Sequence, residues 1–297
     1  MKIIHFIVNP IAGKGKTDIT LQSLSKYFEE KTYHIAVKYS EYKGHARLLT
    51  QQSVIDKADI IVACGGDGTI NEVASCLVKT KVVLGIIPIG SGNGLARNLK
   101  IPKQLKKAIT VIKTQNEIAI DVGSINGKYF FSNTGFGFVA NAILNFEKAK
   151  NRRLISYLKA ISQSLWSYKN NIKYRFIIQG KESVFCPFLV FVSNTNEMGY
   201  NFSITRSAKL NDGFLDLIII DKLSRIKMMY LAFLFLVGNE SKIKEYSYYK
   251  LQDATINLQN NELPIIFQLD GELKRSDAID WQLEIHKESL RVIGENS

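Results

Sequence analysis

The sequence predicts an α/β domain with a parallel sheet, followed by a mainly antiparallel β domain arranged as a β-sandwich. Over the first 120 residues, short apolar runs alternate with segments of helical periodicity. Glycine clusters follow three of these apolar runs. Beyond residue 120, most apolar runs are joined by short polar or glycine turns, which are typical of hairpins.

The first domain contains four predicted strands and three predicted helices. The strands cover residues 3–8, 34–39, 60–63 and 82–87, and the helices cover residues 18–30, 44–54 and 70–78. Because each strand is apolar along its length, we expect a parallel sheet with helices on both faces. Loops that follow the strands of such a sheet lie on one edge, where ligands bind in open α/β folds.

The second domain is predicted to contain strands at residues 128–132, 174–179, 188–193, 214–220, 255–258 and 265–270. Helical segments near 140–168 and 224–237 interrupt them. Segment 281–293 could pass back to the first domain. The predicted domains are therefore residues 1–120 and 121–285, with residues 286–297 as the returning segment.

The chain carries 39 Lys and Arg residues against 27 Asp and Glu residues, a net charge of +12. A basic surface suits polyanions such as lipid headgroups or nucleotide phosphates. We expect no nucleic-acid partner, because the sequence contains no recognition motif and no basic low-complexity arm. The three cysteines form no CxxC pair, and a predicted strand begins close to Met1. We therefore expect a cytoplasmic protein without disulfides or a signal peptide.

The most apolar segment is residues 228–238, which is far shorter than the roughly 20 residues that a membrane-spanning helix needs. Two interpretations stay open for it. The segment is either a buried core helix or a helix with one face near lipid, because Arg225 and Lys227 flank it.

The sequence GGDGTINE at residues 65–72 is the strongest local signal, and it directly follows a predicted strand. Its glycines allow the backbone to approach a bound phosphate, and Thr69 is predicted to cap the helix that follows. A carboxylate beside a phosphate is repulsive unless a metal bridges them or the carboxylate is protonated. Asp67 therefore indicates chemistry that depends on Mg²⁺. The alternative is a glycine-rich turn without a ligand.

Two further glycine loops follow predicted strands. PIGSGNGLAR at residues 88–97 would face the first loop, with Ser91 and Asn93 as hydrogen-bonding groups. The loop at residues 9–16 ends like a P-loop, but Pro10 stands where that motif needs its first glycine, and the Rossmann spacing is absent. Gly13 would allow close approach to a phosphate, and Lys14 or Lys16 would supply charge.

Taken together, these motifs resemble the diacylglycerol-kinase-like lipid kinases, which include the sphingosine and ceramide kinases and the bacterial lipid kinases. The resemblance covers nearly the whole chain and implies a first domain like that of the NAD kinases and phosphofructokinases. It rests on NPIAG at 9–13, SE and GHA within 40–46, GGDGTINE at 65–72, PIGSGNGLAR at 88–97, DVG at 121–123, NTGFG at 133–137, KLNDG at 209–213 and DGE at 270–272.

The resemblance implies an ATP site between the two domains. The nucleotide would be lined by Asn9, Pro10, Ile11, Ala12, Gly13, Ser40, Gly65, Gly66, Asp67, Gly68, Thr69, Ile70, Asn71 and Ser91. Asp67 and Asp121 would lie near a catalytic Mg²⁺. A structural Mg²⁺ would be held by backbone carbonyls of Lys209 and Phe214 and by the carboxylate of Asp212. Glu272 resembles the proton acceptor of the family, and Asp270 could share that task.

The implied activity is transfer of the γ-phosphate of ATP to a lipid hydroxyl, that of diacylglycerol or a related lipid. The expected location is the cytoplasm, in peripheral contact with the inner face of the membrane. An exposed edge strand could also pair two copies into a homodimer. The alternatives are a kinase of a soluble acceptor such as NAD, or a non-catalytic regulator that binds nucleotide or lipid. Val139 stands where many relatives have an aspartate, which bears on substrate preference.

Overall fold

The computed structural model describes residues 1–13, 18–90, 92–147, 172–196, 205, 208–237, 240–259 and 263–295. The predictions for Lys14, Lys16 and Ser91 lie outside these residues, as does most of the helix predicted at 140–168. The helices are α1 (Leu21–Leu24), α2 (His45–Ile55), α3 (Asp67–Leu77), α4 (Gly94–Asn98), α5 (Leu105–Thr114), α6 (Phe138–Glu147) and α7 (Arg225–Val237), with a 3₁₀ turn at Glu240–Lys242.

The strands are β1 (Lys2–Val8), β2 (Tyr33–Tyr39), β3 (Ile60–Gly65), β4 (Val83–Pro88), β5 (Glu117–Ile125), β6 (Lys128–Phe130), β7 (Asn133–Gly137) and β8 (Tyr174–Ile178) in the first part of the chain. They continue with β9 (Lys181–Phe185), β10 (Pro187–Ser193), β11 (Leu215–Asp221), β12 (Tyr246–Leu251), β13 (Asp253–Leu258), β14 (Ile265–Leu269), β15 (Glu272–Ser276) and β16 (Asp280–Ile293).

The first domain is built on four parallel strands in the order β2-β1-β3-β4. Every residue of β3 and β4 is buried, because helices or loops cover both faces of the sheet. Helix α5, which the sequence prediction omits, packs Ile112 near Gly85 of β4. The helix predicted at 18–30 is reduced to α1, which is capped by Thr20 and ends at Leu24. The buried Ile19 and Phe28 lie outside the helix, one on either side of it.

The second domain is a sandwich of antiparallel strands. One sheet has the order β12-β11-β10-β7-β14-β15. The facing layer consists of β13, β8 and β9, which extend the first sheet beyond β16. Large aromatic side chains such as Phe136, Phe176 and Trp281 fill the core between the layers. The fold class predicted from the sequence is thereby confirmed.

Two strands pass from one half of the molecule to the other. Strand β5 contains the predicted boundary at residue 120, and β16 contains the predicted boundary at residue 285. The first residues of β16 pair with β13, whereas Val292 pairs in parallel with Leu84 of β4. Strand β5 lies antiparallel to β16 along much of its length. The halves therefore share a continuous hydrogen-bonded sheet rather than a flexible linker.

Helices α6 and α7 cover the outer face of the second sheet. Leu231 and Leu234 of α7 are buried in a third apolar cluster, together with Val139 of α6 and Ile218 of β11. Within the described residues, no helix has both the length and the apolar character required to cross a bilayer.

Candidate functional site

Three loops at the carboxyl ends of β1, β3 and β4 meet at one edge of the first sheet. A Cβ atom on Gly90 would lie 2.7 Å from the Cα atom of Gly66, so the second and first glycine loops touch backbone to backbone. A Cβ atom on Gly13 would lie 2.8 Å from the carbonyl oxygen of Ile89. The side chain of Asn9 donates a 3.2 Å hydrogen bond to the Thr69 hydroxyl. The predicted loops thus form one continuous surface.

Thr69 does not cap helix α3, so that prediction is wrong. The helix begins at Asp67 with Gly66 at the N-cap, and no side chain caps it. Thr69 lies within the first turn, where it is buried and accepts the hydrogen bond from Asn9. Its role is to tie the loop after β1 to the loop after β3.

Asp67 holds the first glycine loop against the second. Its Oδ2 atom accepts a 2.7 Å hydrogen bond from the backbone amide of Asn93, and its Oδ1 atom accepts a 2.8 Å hydrogen bond from the amide of Gly94. Burial raises the pKa of this carboxyl, and these amides partly oppose the shift. Each carboxylate oxygen accepts one of these bonds and has a second lone pair.

A cleft of about 190 Å³ lies between the first glycine loop, the start of α2 and the turn that joins β14 to β15. Both halves of the molecule line it: Lys43, Gly44, Arg47, Asp67, Gly68, Asn71 and Glu72 from the first, and Leu269, Asp270, Glu272 and Lys274 from the second. A Cβ atom on Gly68 would overlap the Oε1 atom of Glu272. The glycine loop and the predicted proton acceptor therefore share one crevice.

Glu272 is the carboxylate most closely surrounded by positive charge in this cleft. Lys274 donates to its Oε2 atom at 2.9 Å, and Lys43 donates to the same atom at 3.2 Å. Burial alone would raise the pKa of Glu272, but the two ammonium groups outweigh burial and lower it. The carboxylate is therefore negatively charged at neutral pH.

Asp270 is anchored by backbone amides. Its carboxylate accepts hydrogen bonds from the amides of Phe131, Ser132 and Asn133, the shortest being 2.7 Å from Ser132. The Asn71 side chain donates another at 2.7 Å. Burial raises the pKa of Asp270 to about 6, although these four donors favour the charged form. Because a carboxylate offers about four acceptor positions, these donors occupy its capacity. Asp270 joins helix α3 to the second domain.

The loop after β2 completes the cleft. Ser40 is buried, and its amide donates to the carbonyl of Val8 at 2.8 Å, beside the loop after β1. The amide of Gly44 donates to Glu72 at 2.9 Å, which fixes the start of α2 near α3. His45 stacks on Tyr42, in keeping with a packing role on the helix face.

Sequence reasoning missed four polar residues of the cleft lining. Lys43 and Arg47 flank the GHA motif, and Lys274 lies two residues after Glu272 on the same strand, so that both point to one face. Glu72 is part of the glycine-loop motif, but the sequence analysis gives it no role. Their position next to the motifs is the signal in the sequence that could have found them. The pairing of Lys43 with Glu272 joins residues far apart in the chain, so that signal does not reveal it.

Asp121 does not line the cleft that Asp67 lines. Its oxygens accept hydrogen bonds from the amides of Gly213 at 2.7 Å and Glu288 at 2.8 Å, and its side chain is buried outside the cleft lining. Asp121 therefore anchors the loop before β11 to strand β16. The prediction that it lies near a catalytic Mg²⁺ finds no support in this placement.

The structural Mg²⁺ predicted at Lys209, Asp212 and Phe214 fits this chain poorly. The ammonium group of Lys250 lies 2.6 Å from the Oδ2 atom of Asp212, and the Phe214 amide donates to Oδ1 at 3.1 Å. Lys250 and Lys287 also lie 5.9 Å from the centre of the Phe214 ring. The ammonium group of Lys250 already neutralises Asp212. The positive charges of Lys250 and Lys287 would oppose the binding of a metal cation there. Across the described ranges, no three His, Cys, Asp or Glu residues are grouped for metal binding.

The donor chemistry around Asp67 does fit Mg²⁺. This ion prefers oxygen ligands and is usually bound by one or two carboxylates together with phosphate oxygens of a substrate. Asp67 supplies a carboxylate at the wall of the cleft, held in place by two amides. A dedicated cluster of acidic residues is therefore not required.

Comparison with protein families gives two matches that follow one another along the chain. Residues 4–125 match the diacylglycerol kinase catalytic domain, and residues 132–294 match the YegS C-terminal NAD kinase beta sandwich-like domain. Among curated proteins, the chain is 31% identical to a diacylglycerol kinase of Bacillus subtilis (strain 168), over 92% of this chain and 90% of the relative. It is 26% identical to a diacylglycerol kinase of Staphylococcus aureus (strain bovine RF122 / ET3-1), over 92% and 88%.

Solved structures share the fold. A diacylglycerol kinase structure from Bacillus anthracis str. Sterne superposes with a TM-score of 0.71 at 20% identity and covers 99% of this chain and 97% of its own. Yeast NADH kinase complexed with NADH gives a TM-score of 0.53 at 10% identity, over 99% and 84%. This chain therefore shares its two-domain architecture with both the diacylglycerol kinase and the NADH kinase.

Proposed function

Because this chain belongs to the diacylglycerol-kinase-like lipid kinase family, we propose that it transfers the γ-phosphate of ATP to the hydroxyl group of diacylglycerol or a related lipid. The contact between Gly68 and Glu272 carries the proposal, because it places a charged carboxylate directly beside the loop that would hold the phosphates. Phosphoryl transfer needs positioning and charge neutralisation more than covalent work by the protein.

The donor would bind along the three glycine loops. Residues 9–13, Ser40, 65–71 and Ser91 form the proposed nucleotide site, of which Ser91 lies outside the described residues. Helix α3 directs its first amides and its positive end toward the cleft, which favours phosphate oxygens. Lys43, Arg47 and Lys274 add positive charge at the cleft wall.

Glu272 would orient the lipid hydroxyl and accept its proton. Its low pKa keeps it charged before the reaction, and the proton is transferred late, when the hydroxyl has become strongly acidic. Lys274 and Lys43 fix the carboxylate in the cleft. We assign Asp270 a positioning role, because its acceptor capacity is taken by backbone amides and Asn71.

Asp67 is the residue that would hold Mg²⁺ together with the phosphates. Bound there, the ion would neutralise phosphate charge during transfer. Binding of Mg²⁺ requires the ionised form of Asp67. Burial raises the pKa of Asp67, and the amides of Asn93 and Gly94 oppose this by favouring the ionised form.

The proposal is tested by supplying radiolabelled ATP with diacylglycerol, a mixed lipid extract or NAD in parallel reactions. We expect labelled lipid and no labelled NADP. Glu272→Gln should lower turnover by roughly 10²–10⁴-fold while ATP binding survives. Glu284→Gln, which replaces an exposed glutamate on β16, is the matched control and should retain activity. Absence of a labelled lipid with the wild-type protein, or full turnover by Glu272→Gln, would refute the proposal.

A further inference from the structure

Helix α7 presents an apolar face to solvent. Ile226, Met229 and Tyr230 are 82%, 66% and 49% exposed, and their spacing of three and four residues places them on one side of the helix. Leu231 and Leu234, on the other side, are 4% and 3% exposed and pack into the third apolar cluster. One side of the helix therefore belongs to the core, and the side that carries Ile226, Met229 and Tyr230 is exposed.

Basic residues surround the N-terminal end of this face. Lys222 and Arg225 are exposed where the helix begins, and Lys242 and Lys244 are exposed on the 3₁₀ turn and just after it, beside the helix. Lys227 is paired with Glu245. Five Lys and Arg residues against three Asp and Glu residues occupy the described part of 221–245, so the surroundings are positive.

The helical layer connects this face to the cleft. Helix α6 shares the third apolar cluster with α7, through Val139. It also packs against β14 and β15, and β15 begins at Glu272. A surface in contact with α7 would thus lie on the same side of the second sheet as helix α6, which packs against the strand that carries the proposed proton acceptor.

We propose that the exposed face of α7 docks this protein on an anionic lipid bilayer. A helix of 13 residues is about 20 Å long, too short to span the roughly 30 Å hydrocarbon core, so it would lie in the plane of the interface. Apolar side chains inserted below the headgroups and basic side chains beside anionic headgroups are the pattern of such helices. The purpose of the contact rests on the proposed function, because a lipid acceptor must be taken from a membrane.

The docking is tested without catalysis, by cosedimentation with vesicles of phosphatidylcholine alone and of phosphatidylcholine mixed with phosphatidylglycerol. We expect binding to the anionic vesicles that weakens as salt is added. Ile226→Glu should weaken this binding by roughly tenfold or more, because an apolar side chain no longer inserts. Arg225→Gln should weaken it by about fivefold, from the loss of one charge near the surface.

Ile55→Glu is the matched control, because Ile55 is 71% exposed at the end of α2 in the first domain. It should bind vesicles like the wild-type protein. Glu272→Gln should also bind normally, which separates failure of docking from failure of the kinase assignment. Equal vesicle binding by Ile226→Glu and the wild type would overturn the proposal. So would sedimentation showing that Ile226→Glu dissolves a dimer of the free protein, since a second copy would then cover this face.

Discussion

Replacing Gly68 by alanine should separate catalysis from stability. Gly68 lies in the first turn of α3, in a conformation that alanine adopts, and alanine favours helix by up to about 1 kcal/mol over glycine. The added Cβ atom would overlap the Glu272 Oε1 atom, whereas ordinary contact begins at 3.4 Å. The carboxylate must therefore retreat by about 1 Å, a displacement that can lower turnover by roughly 10²-fold. We expect an unchanged or slightly raised Tm.

A double-mutant cycle shows whether the effect passes through Glu272. The kcat of Gly68→Ala, Glu272→Gln and the double variant would be measured with ATP and diacylglycerol in detergent micelles. If displacement of the carboxylate is the cause, Gly68→Ala has little further effect once Glu272 is glutamine. Wild-type turnover in Gly68→Ala, or losses that multiply in the double variant, would refute the reasoning.

Four further predictions concern the carboxylates of Asp270, Asp212 and Asp67. Asp270→Asn should lower the free energy of unfolding by about 1–3 kcal/mol, because amide donors would face an amide NH₂ group. With its pKa raised from 3.8 to about 6 in the folded state, Asp270 should make the folded protein bind one more proton than the unfolded chain between these values. Its contribution to stability therefore falls as pH rises through this window, a slope that urea titrations should find missing in Asp270→Asn. Lys250→Met should lower the free energy of unfolding by about 1 kcal/mol, because the partly exposed ion pair with Asp212 is lost. EDTA should leave the wild-type Tm unchanged. A fall of the wild-type Tm in EDTA would show that a metal, rather than Lys250, neutralises Asp212. Asp67→Asn should raise the Mg²⁺ concentration for half-maximal activity by roughly tenfold or more, and an unchanged magnesium titration would show that Asp67 holds no metal.

The parts of the site that the sequence predicts are those encoded by consecutive residues. The glycine loops after β3 and β4, and Glu272 after its turn, carry their signals within ten residues or fewer. Parallel strands bring such loops to one edge, so their convergence follows from the fold class. The fold class follows from apolar runs that are buried on both faces, as in β3 and β4.

The parts that sequence reasoning misses depend on pairings between distant residues. Nothing local indicates that Lys250 would neutralise Asp212, or that the amides of residues 131–133 would surround Asp270. Strand β7 is absent from the predicted strands, and its sequence NTGFG has two glycines, yet it lies in the middle of the second sheet. Burial between β10 and β14 overrides its weak strand propensity.

Strand β16 determines how late in synthesis the first sheet can finish folding. Val292 pairs with Leu84, so β4 has an open hydrogen-bonding edge until residues 280–293 have left the ribosome. An open, apolar edge strand is a site where chains associate wrongly. Nascent chains of this protein should therefore need protection by chaperones until the last strand is in place, and shortened chains that lack it should aggregate rather than yield an isolated first domain.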